Sequence, residues 1–335
     1  MYLKKKTFII YFTFIVCVCF SNFVFASSED KKEKIEIGPV IMHHILDDYQ
    51  YEITEGLVIP LPIIIFSKTD GLKIFSSSNL FDESHNPKKD GYMGYMYDHG
   101  HLKTLDSNNS FIDLSITKNV LFLFINAFLM LLIFLLAARG YKSKNHAPKG
   151  IQSIVEPLII FIRDGVVKPN IGKNFEKYLP YMLTLFFFIL FGNLLGLLPA
   201  AANLTGNIAV TMVLALLTFL ITNLSGNMNY WKHIFWTPNV PHVMRILILP
   251  IEIINVFTKP FSLMIRLFVA ITAGHIVLLS FIGMTFIFES YFVGLLSALF
   301  AVLLNIIEIV VAVIQAYVFT MFSSFYIGLA VEQQH

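Results

Sequence analysis

Glu252, Asn255, Lys259, Ser262 and Arg266 recur at intervals of 3, 4, 3 and 4 residues inside an apolar stretch that runs from about 246 to 288. At about 100° per residue, these intervals place all five on one face of a helix. A second apolar stretch, about 291 to 331, carries Asn305, Glu308 and Gln315 at intervals of 3 and 7, again on one face. A charged group at the middle of a membrane helix costs on the order of 2.5 to 3.5 kcal/mol on insertion scales, so each of these residues needs water, a partner or a task. Two facing stripes suit an aqueous path or a protein contact buried in lipid. Arg266 is the most constrained, because guanidinium cannot escape desolvation by losing its proton; a permanent cation at this depth serves an anionic site. Lys259 can release its proton or snorkel. Ser262 and Asn305 also suit interhelical hydrogen bonds that only fix packing. His275, nine residues past Arg266, falls on the opposite side of a straight helix and so in a different compartment of the same path.

The elements that must hold these groups follow from composition. Of the 335 residues, 56% are AVILMFWYC, 14% are charged and 33 are Phe, with a net charge of +2; the mean hydropathy is +0.70. This is the composition of an all-α protein that crosses a membrane several times. It excludes a nucleic-acid binder, which would show clustered Lys and Arg, and a disordered regulator, which would be poor in Ile, Leu, Val and Phe. The only cysteines, Cys17 and Cys19, exclude a disulfide scaffold.

Five crossings are expected. The 20 uncharged residues from Asn119 to Ala138 match a bilayer core. Residues 139 to 177 carry Arg139, Lys142, Lys144, Lys149, Arg163, Lys168, Lys173 and Lys177, so the positive-inside rule puts them in the cytoplasm. Their apolar piece, 151 to 162, is too short to span and reads as a helix lying along the interface. The 54 uncharged positions between Lys177 and Lys232 hold a hairpin, roughly 178 to 198 and 207 to 225, turned by GLLPAAANLTGN with Pro199 and Gly206. The last two apolar stretches are each near 40 residues, about 60 Å as helix, twice a perpendicular crossing. No polar turn divides either, which favours one long tilted helix in each over a pair of short spans; Pro260 can kink the first without ending it. Glu289 falls in its last turn. The C-terminal EQQH is then cytoplasmic.

The N-terminus reads as a signal peptide over 1–26, with Lys4, Lys5 and Lys6, an apolar run from Phe8 to Phe20, and a cut after Ala26; an uncleaved first helix is the alternative. Residues 27–117 hold 15 of the 22 acidic residues and form a polar extension outside the cytoplasm. Short extended pieces are expected at 57–66 and 71–78 and a loop at 82–110, in a poorly packed extension rather than a domain.

KPFSLMIRLFVAITAGH (259–275) resembles the arginine helix of the rotary ATP synthase subunit a family, usually SLxLRLFxNxxAGH or AGE. FGNLLGLLPA (191–200), the VT of AVTMVLAL (209–216) and IQAYVF (314–319) resemble the family's other three signatures in the same order, so the resemblance covers about 119 to 331. It implies a stator subunit that is not itself an enzyme, carries no cofactor or metal, and has as partners the c-ring subunits, the b subunits of the peripheral stalk and the lipid bilayer, with no nucleic acid. It also implies roles. Arg266 faces the essential carboxylate of each c subunit, and Gln315 is its neighbour on the last helix. Asn193 belongs to a periplasmic half-channel and Glu252 to a cytoplasmic one, with Asn255 hydrating the exit. His275 and Glu308 correspond to a periplasmic pair in which some members have Glu first and His second. Where the family usually has Asn four residues after the arginine, this chain has Ala270. MHHILDD (42–48) and IPLPIII (59–65) look like the extended N-terminus of some signal-bearing members.

Two other classes remain open on the residues alone. Intramembrane Glu, Lys, Arg and His also mark the path of a secondary transporter or channel. His43, His44, His85, His99 and His101 could suggest a membrane-anchored metalloenzyme, but no HExxH, Cys pair or GxSG accompanies them.

Overall fold

The computed structural model describes residues 47–331 apart from 55–56, 69–70, 83–86, 89, 99, 105–109, 141–149, 199–200, 237–240 and 289. The signal peptide with its two cysteines, His43, His44, His85, His99, Lys142, Lys144, Lys149, Pro199, Glu289 and the terminal EQQH therefore lie outside the described residues.

Among the described residues, 47–117 hold seven strands: β1 (Gln50–Thr54), β2 (Leu57–Pro60), β3 (Pro62–Ser67), β4 (Gly71–Ser76), β5 (Tyr95–Asp98), β6 (His101–Thr104) and β7 (Phe111–Asp113). All pairings are antiparallel: β1 with β2, β5 with β6, and a three-stranded sheet in the order β4-β3-β7. The expected extended pieces are present as β2 and β3 and, over 71–76, as β4, with residues 77–80 turning into a 3-10 helix; the poorly packed extension is not found. Ile63 and Ile65 are fully buried, and they join Tyr49, Phe75, Leu80, Phe81, Tyr95 and Leu102 in one apolar cluster. The stretch read as a loop, 82–110, contributes β5 and β6, whose Tyr95 and Leu102 join that cluster, with Tyr95 edge-on to Phe111 of β7 at 5.3 Å between ring centres. That core depends on contacts some thirty or more positions apart, which local composition does not reveal.

The rest is helical. In chain order come α1 (Lys118–Gly140), α2 (Gln152–Ile162), α3 (Lys168–Ile171), α4 (Phe175–Gly196), α5 (Ile208–Leu224), α6 (Met228–Phe235), α7 (His242–Phe288) and α8 (Tyr291–Val331). A π-helical turn, Arg163–Val167, joins α2 to α3. By length and composition four helical segments could cross a membrane, and a fifth follows if α5 and α6, bent by 103°, form one broken span. The two long stretches are single helices of 47 and 41 residues, with Pro250 and Pro260 inside the first. Neither proline ends it.

α4 is the central helix. Met182, Phe187 and Ile189 are fully buried in the main apolar cluster, which also takes residues of α2, α5, α7 and α8. On one side Asn126 of α1, itself fully buried, donates from Nδ2 to the Phe188 carbonyl at 3.0 Å. The end of α8 is tightly fixed. A side chain at Gly328 would place its Cβ 2.0 Å from the Asn170 carbonyl oxygen, so only glycine lets α3 approach this closely. Asn227, between α5 and α6, donates from its backbone N–H to Ala330 O at 2.9 Å and from Nδ2 to Val331 O at 2.8 Å, satisfying carbonyls that a helix end leaves open. The β module is fastened to the other end of the bundle. Lys118 N–H donates to Asp48 O at 2.8 Å and Asn119 N–H to Asp47 Oδ1 at 3.0 Å, at the start of α1. Tyr51 packs edge-on to Phe122 with ring centres 5.3 Å apart.

Candidate functional site

α7 and α8 run antiparallel, joined by two residues, and the predicted polar groups lie along their contact. Leu263, Leu267 and Ile271 of α7, at intervals of four, are each no more than 2% exposed and form its buried seam. Arg266 and His275 flank that seam on opposite sides, as their nine-residue separation requires. Both reach α8.

The Arg266 guanidinium carbon sits 4.2 Å from the centre of the Phe322 ring. Its Nη1 is buried with no hydrogen-bond partner among the described residues, and no carboxylate among them forms an ion pair with it. About two turns toward the α7 N-terminus, Lys259 Nζ lies 5.5 Å from the centre of the Tyr326 ring. The two cations of the stripe thus rest on two aromatic rings of α8, an arrangement in which the ring face attracts positive charge. Gln315 is half-buried and lies seven residues before Phe322, on the same face of α8 and about 10.5 Å along its axis.

His275 Nδ1 lies 3.2 Å from Glu308 Oε1, with the Glu308 side chain 4% exposed. Gly274 makes room for that carboxylate, since a Cβ there would stand 3.1 Å from Glu308 Oε1. An imidazole and a carboxylate at this distance can share and exchange a proton. One turn further along α8, the Ala312 carbonyl accepts from Asn193 Nδ2 at 3.2 Å, and Asn193 Oδ1 accepts from Thr205 Oγ1 at 2.6 Å. Asn193, 1% exposed, therefore ties α4 and the 204–206 turn to α8 beside Glu308.

At the other end of the stripe Glu252 Oε1 lies 3.7 Å from His233 Nδ1 of α6. Asn255 is exposed, and Ser262 is half-buried. Asn305, half-buried, donates from Nδ2 to the Ala301 carbonyl of its own helix at 3.1 Å. Between the two ends, Tyr181 and Thr218 hydroxyls lie 2.9 Å apart and Thr218 and Ser323 hydroxyls 3.3 Å apart, linking α4, α5 and α8.

Four contributors were not singled out from sequence: Phe322, Tyr326, His233 and Gly274. The first two had a signal, because Glu308, Gln315, Phe322 and Tyr326 follow at 7, 7 and 4 and continue the α8 stripe. Gly274 lay inside a quoted motif. His233 had none, since its partner is on another helix. His101 on β6 is exposed, and no group of three or more His, Cys, Asp or Glu able to hold a metal ion occurs among the described residues.

Comparison with known proteins agrees with this architecture. The ATP synthase A chain family model matches residues 120–328. A domain of unknown function, DUF8433, matches residues 40–121, the β module. ATP synthase subunit a of Chloroherpeton thalassium is 44% identical over 229 residues, covering 66% of this chain and 68% of the relative. ATP synthase subunit a 2 of Chlorobaculum tepidum is 40% identical over 313 residues, 91% of this chain and 76% of the relative. ATP synthase subunit a of Anaeromyxobacter sp. is 33% identical over 308 residues, 88% and 71% respectively. With its family signatures on α4, α5, α7 and α8, this chain belongs to the ATP synthase A chain family.

Proposed function

We propose that this chain is the stationary, non-catalytic proton-translocating subunit of an ATP synthase membrane sector, with a ring of c subunits turning against it and the b subunits of the peripheral stalk holding it in place. The observation that carries this reading is Arg266: a permanent cation at the middle of α7, stacked on Phe322, with no carboxylate of the described chain against it. Its anion is supplied from outside, by the rotor. An ionised carboxylate about 4 Å away gains roughly 4 kcal/mol at an effective dielectric near 20, and a protonated one gains nothing comparable. The cation therefore favours proton release at that point and separates the carboxylate arriving loaded from the one leaving empty.

Two half-channels then serve the two sides. On the periplasmic side His275 and Glu308 relay protons, with Asn193 holding α4 to α8 beside them. On the cytoplasmic side Glu252, Asn255 and the newly found His233 form the exit, and Lys259 stands between this exit and Arg266. Gln315 shares the Arg266 face of α8. The lengths of α7 and α8, about 70 Å and 60 Å against a core of about 30 Å, support a steep inclination that presents a long line of contact to the ring. In this arrangement the chain lies in a bacterial inner membrane, residues 1–26 are removed as a signal peptide, residues 27–117 are periplasmic, residues 118–335 form the membrane domain and the C-terminus is cytoplasmic.

The test is reconstitution with and without the ring. Alone in vesicles under an imposed proton gradient, the chain should pass no protons, because the moving carboxylate belongs to another subunit; within the whole complex, ATP hydrolysis should drive pumping. Proton or solute flux through the isolated chain would favour a channel or secondary transporter instead.

A further inference from the structure

The β4-β3-β7 sheet carries large apolar side chains on both faces. One face, through Ile63, Ile65 and Phe75, lies against the core of the module. On the other, the register pairs Ile64 with Ile74 and Phe66 with both Leu72 and Ile112. Leu114 N–H donates to Ile64 O at 2.9 Å and extends the same row. Directly opposed residues share a face, so Ile64, Phe66, Leu72, Ile74, Ile112 and Leu114 form one patch. Ile64 is half-buried, and the other five are between 46% and 63% exposed. An antiparallel sheet with one face on a core ordinarily turns polar residues outward. Here six neighbouring outward positions carry no charge, in a region that holds 15 of the 22 acidic residues of the chain. Such a patch has a function in contact.

Three features identify what covers it. Leu114 lies four residues before Lys118, where α1 begins, at most about 14 Å of extended chain. There is no slack in that link, because Ile116 N–H donates to Pro62 O at 3.2 Å and Lys118 N–H to Asp48 O at 2.8 Å. The sheet is thus fixed at the root of a helix that can cross a membrane. Next, α1 itself exposes Phe124, Phe128, Leu131 and Leu135, so the helix to which the sheet is tied is apolar on its outside and long enough to cross a bilayer. Last, the patch is Ile and Leu with a single Phe. It lacks the Trp, Tyr and Arg that anchor protein contacts.

We propose that this sheet face rests on the lipid bilayer, seated at the boundary between headgroups and acyl chains, and that the β module is a membrane-associated unit that braces the outer end of α1. The proposal does not depend on the proton path. It is tested in the whole complex in nanodiscs, with nitroxide labels at Phe66→Cys, Ile74→Cys and Ile112→Cys, each in a complex otherwise free of cysteine. Lys103→Cys on β6, whose side chain is 62% exposed, serves as the water-exposed control. The ratio of collision with oxygen to collision with a water-soluble nickel chelate should be several-fold higher at the three sheet positions than at Lys103→Cys. Equal ratios would put the face in water, and shielding from both reagents would mean that a protein covers it; either overturns the proposal. Three positions on three strands keep the test decisive if one label disturbs its strand.

Discussion

His275 of α7 and Glu308 of α8 meet at 3.2 Å, Nδ1 to Oε1, with the carboxylate 4% exposed. The pair is the buried acid and base of the contact between the two long helices, and its partners come from opposite arms of an antiparallel hairpin. Replacing His275 by Ala leaves the carboxylate without its nearest base. A positioned proton-transfer group contributes typically about 10²- to 10⁴-fold, so ATP-driven pumping should fall by about 100-fold or more. The exchanged variant, His275→Glu with Glu308→His, should recover a large part of that loss if the two act as a unit. Pumping by inverted vesicles, read from quenching of a pH-sensitive dye, distinguishes the three proteins.

Gly274→Ala tests the space around that carboxylate. The new Cβ would stand 3.1 Å from Glu308 Oε1 and 3.3 Å from Cδ, tighter than ordinary contact, so Glu308 must move away from His275. Overpacking of this kind costs typically about 1 to 3 kcal/mol. The complex should still assemble, with pumping reduced about as much as in His275→Ala. Unchanged pumping with Ala at this position would show that the position of Glu308 is not critical.

The ring under Arg266 can be removed alone. Phe322→Leu keeps bulk and apolarity but loses the cation–ring attraction, about 0.5 to 2 kcal/mol. Pumping should drop by about 2- to 30-fold, and Phe322→Tyr, which restores a ring face, should retain nearly full activity. A Leu variant with the activity of the native protein would make the stacking incidental.

In the β module, Tyr49 donates its hydroxyl to Asp113. Burial first, and then the Asp113 carboxylate, raise its pKa above the ordinary value; burial and Asp48 do the same for Tyr97. An acid whose folded pKa is raised stays protonated in the folded state at pH values where the unfolded chain has already lost its proton. Its stabilising contribution is therefore complete below about pH 10 and declines as pH rises above that value. Ultraviolet titration of the complex should show these two tyrosines ionising after the exposed ones, together with loss of module structure. Tyr49→Phe should flatten that alkaline decline; an identical decline would assign it elsewhere.

Much of this was legible in sequence because membrane helices declare themselves through uninterrupted apolar length. α7 and α8 were expected as single helices for want of a polar turn, and each is one. The stripes on them were readable from helical spacing, and that spacing places Arg266 and His275 on opposite flanks of the Leu263–Leu267–Ile271 seam. What spacing within one helix does not give is the facing residue on another. His233 opposite Glu252 had no sequence signal, and Phe322 and Tyr326 were passed over because the stripe was followed only through polar residues. The β module was misjudged for a related reason. Its strand β3 is apolar on both faces and shows no alternation, while Tyr95 and Leu102, which close its core, come from a Gly-, Asp- and Asn-rich stretch whose composition reads as loop.

The role of Arg266 is tested most directly by two readings on one variant. In membranes holding the whole complex with Arg266→Ala, ATP-driven pumping and passive proton leak under an imposed potential are measured together. Pumping should be lost and leak should rise, because nothing then compels a passing carboxylate to release its proton between the two paths. Coupled pumping retained without added leak would contradict that role.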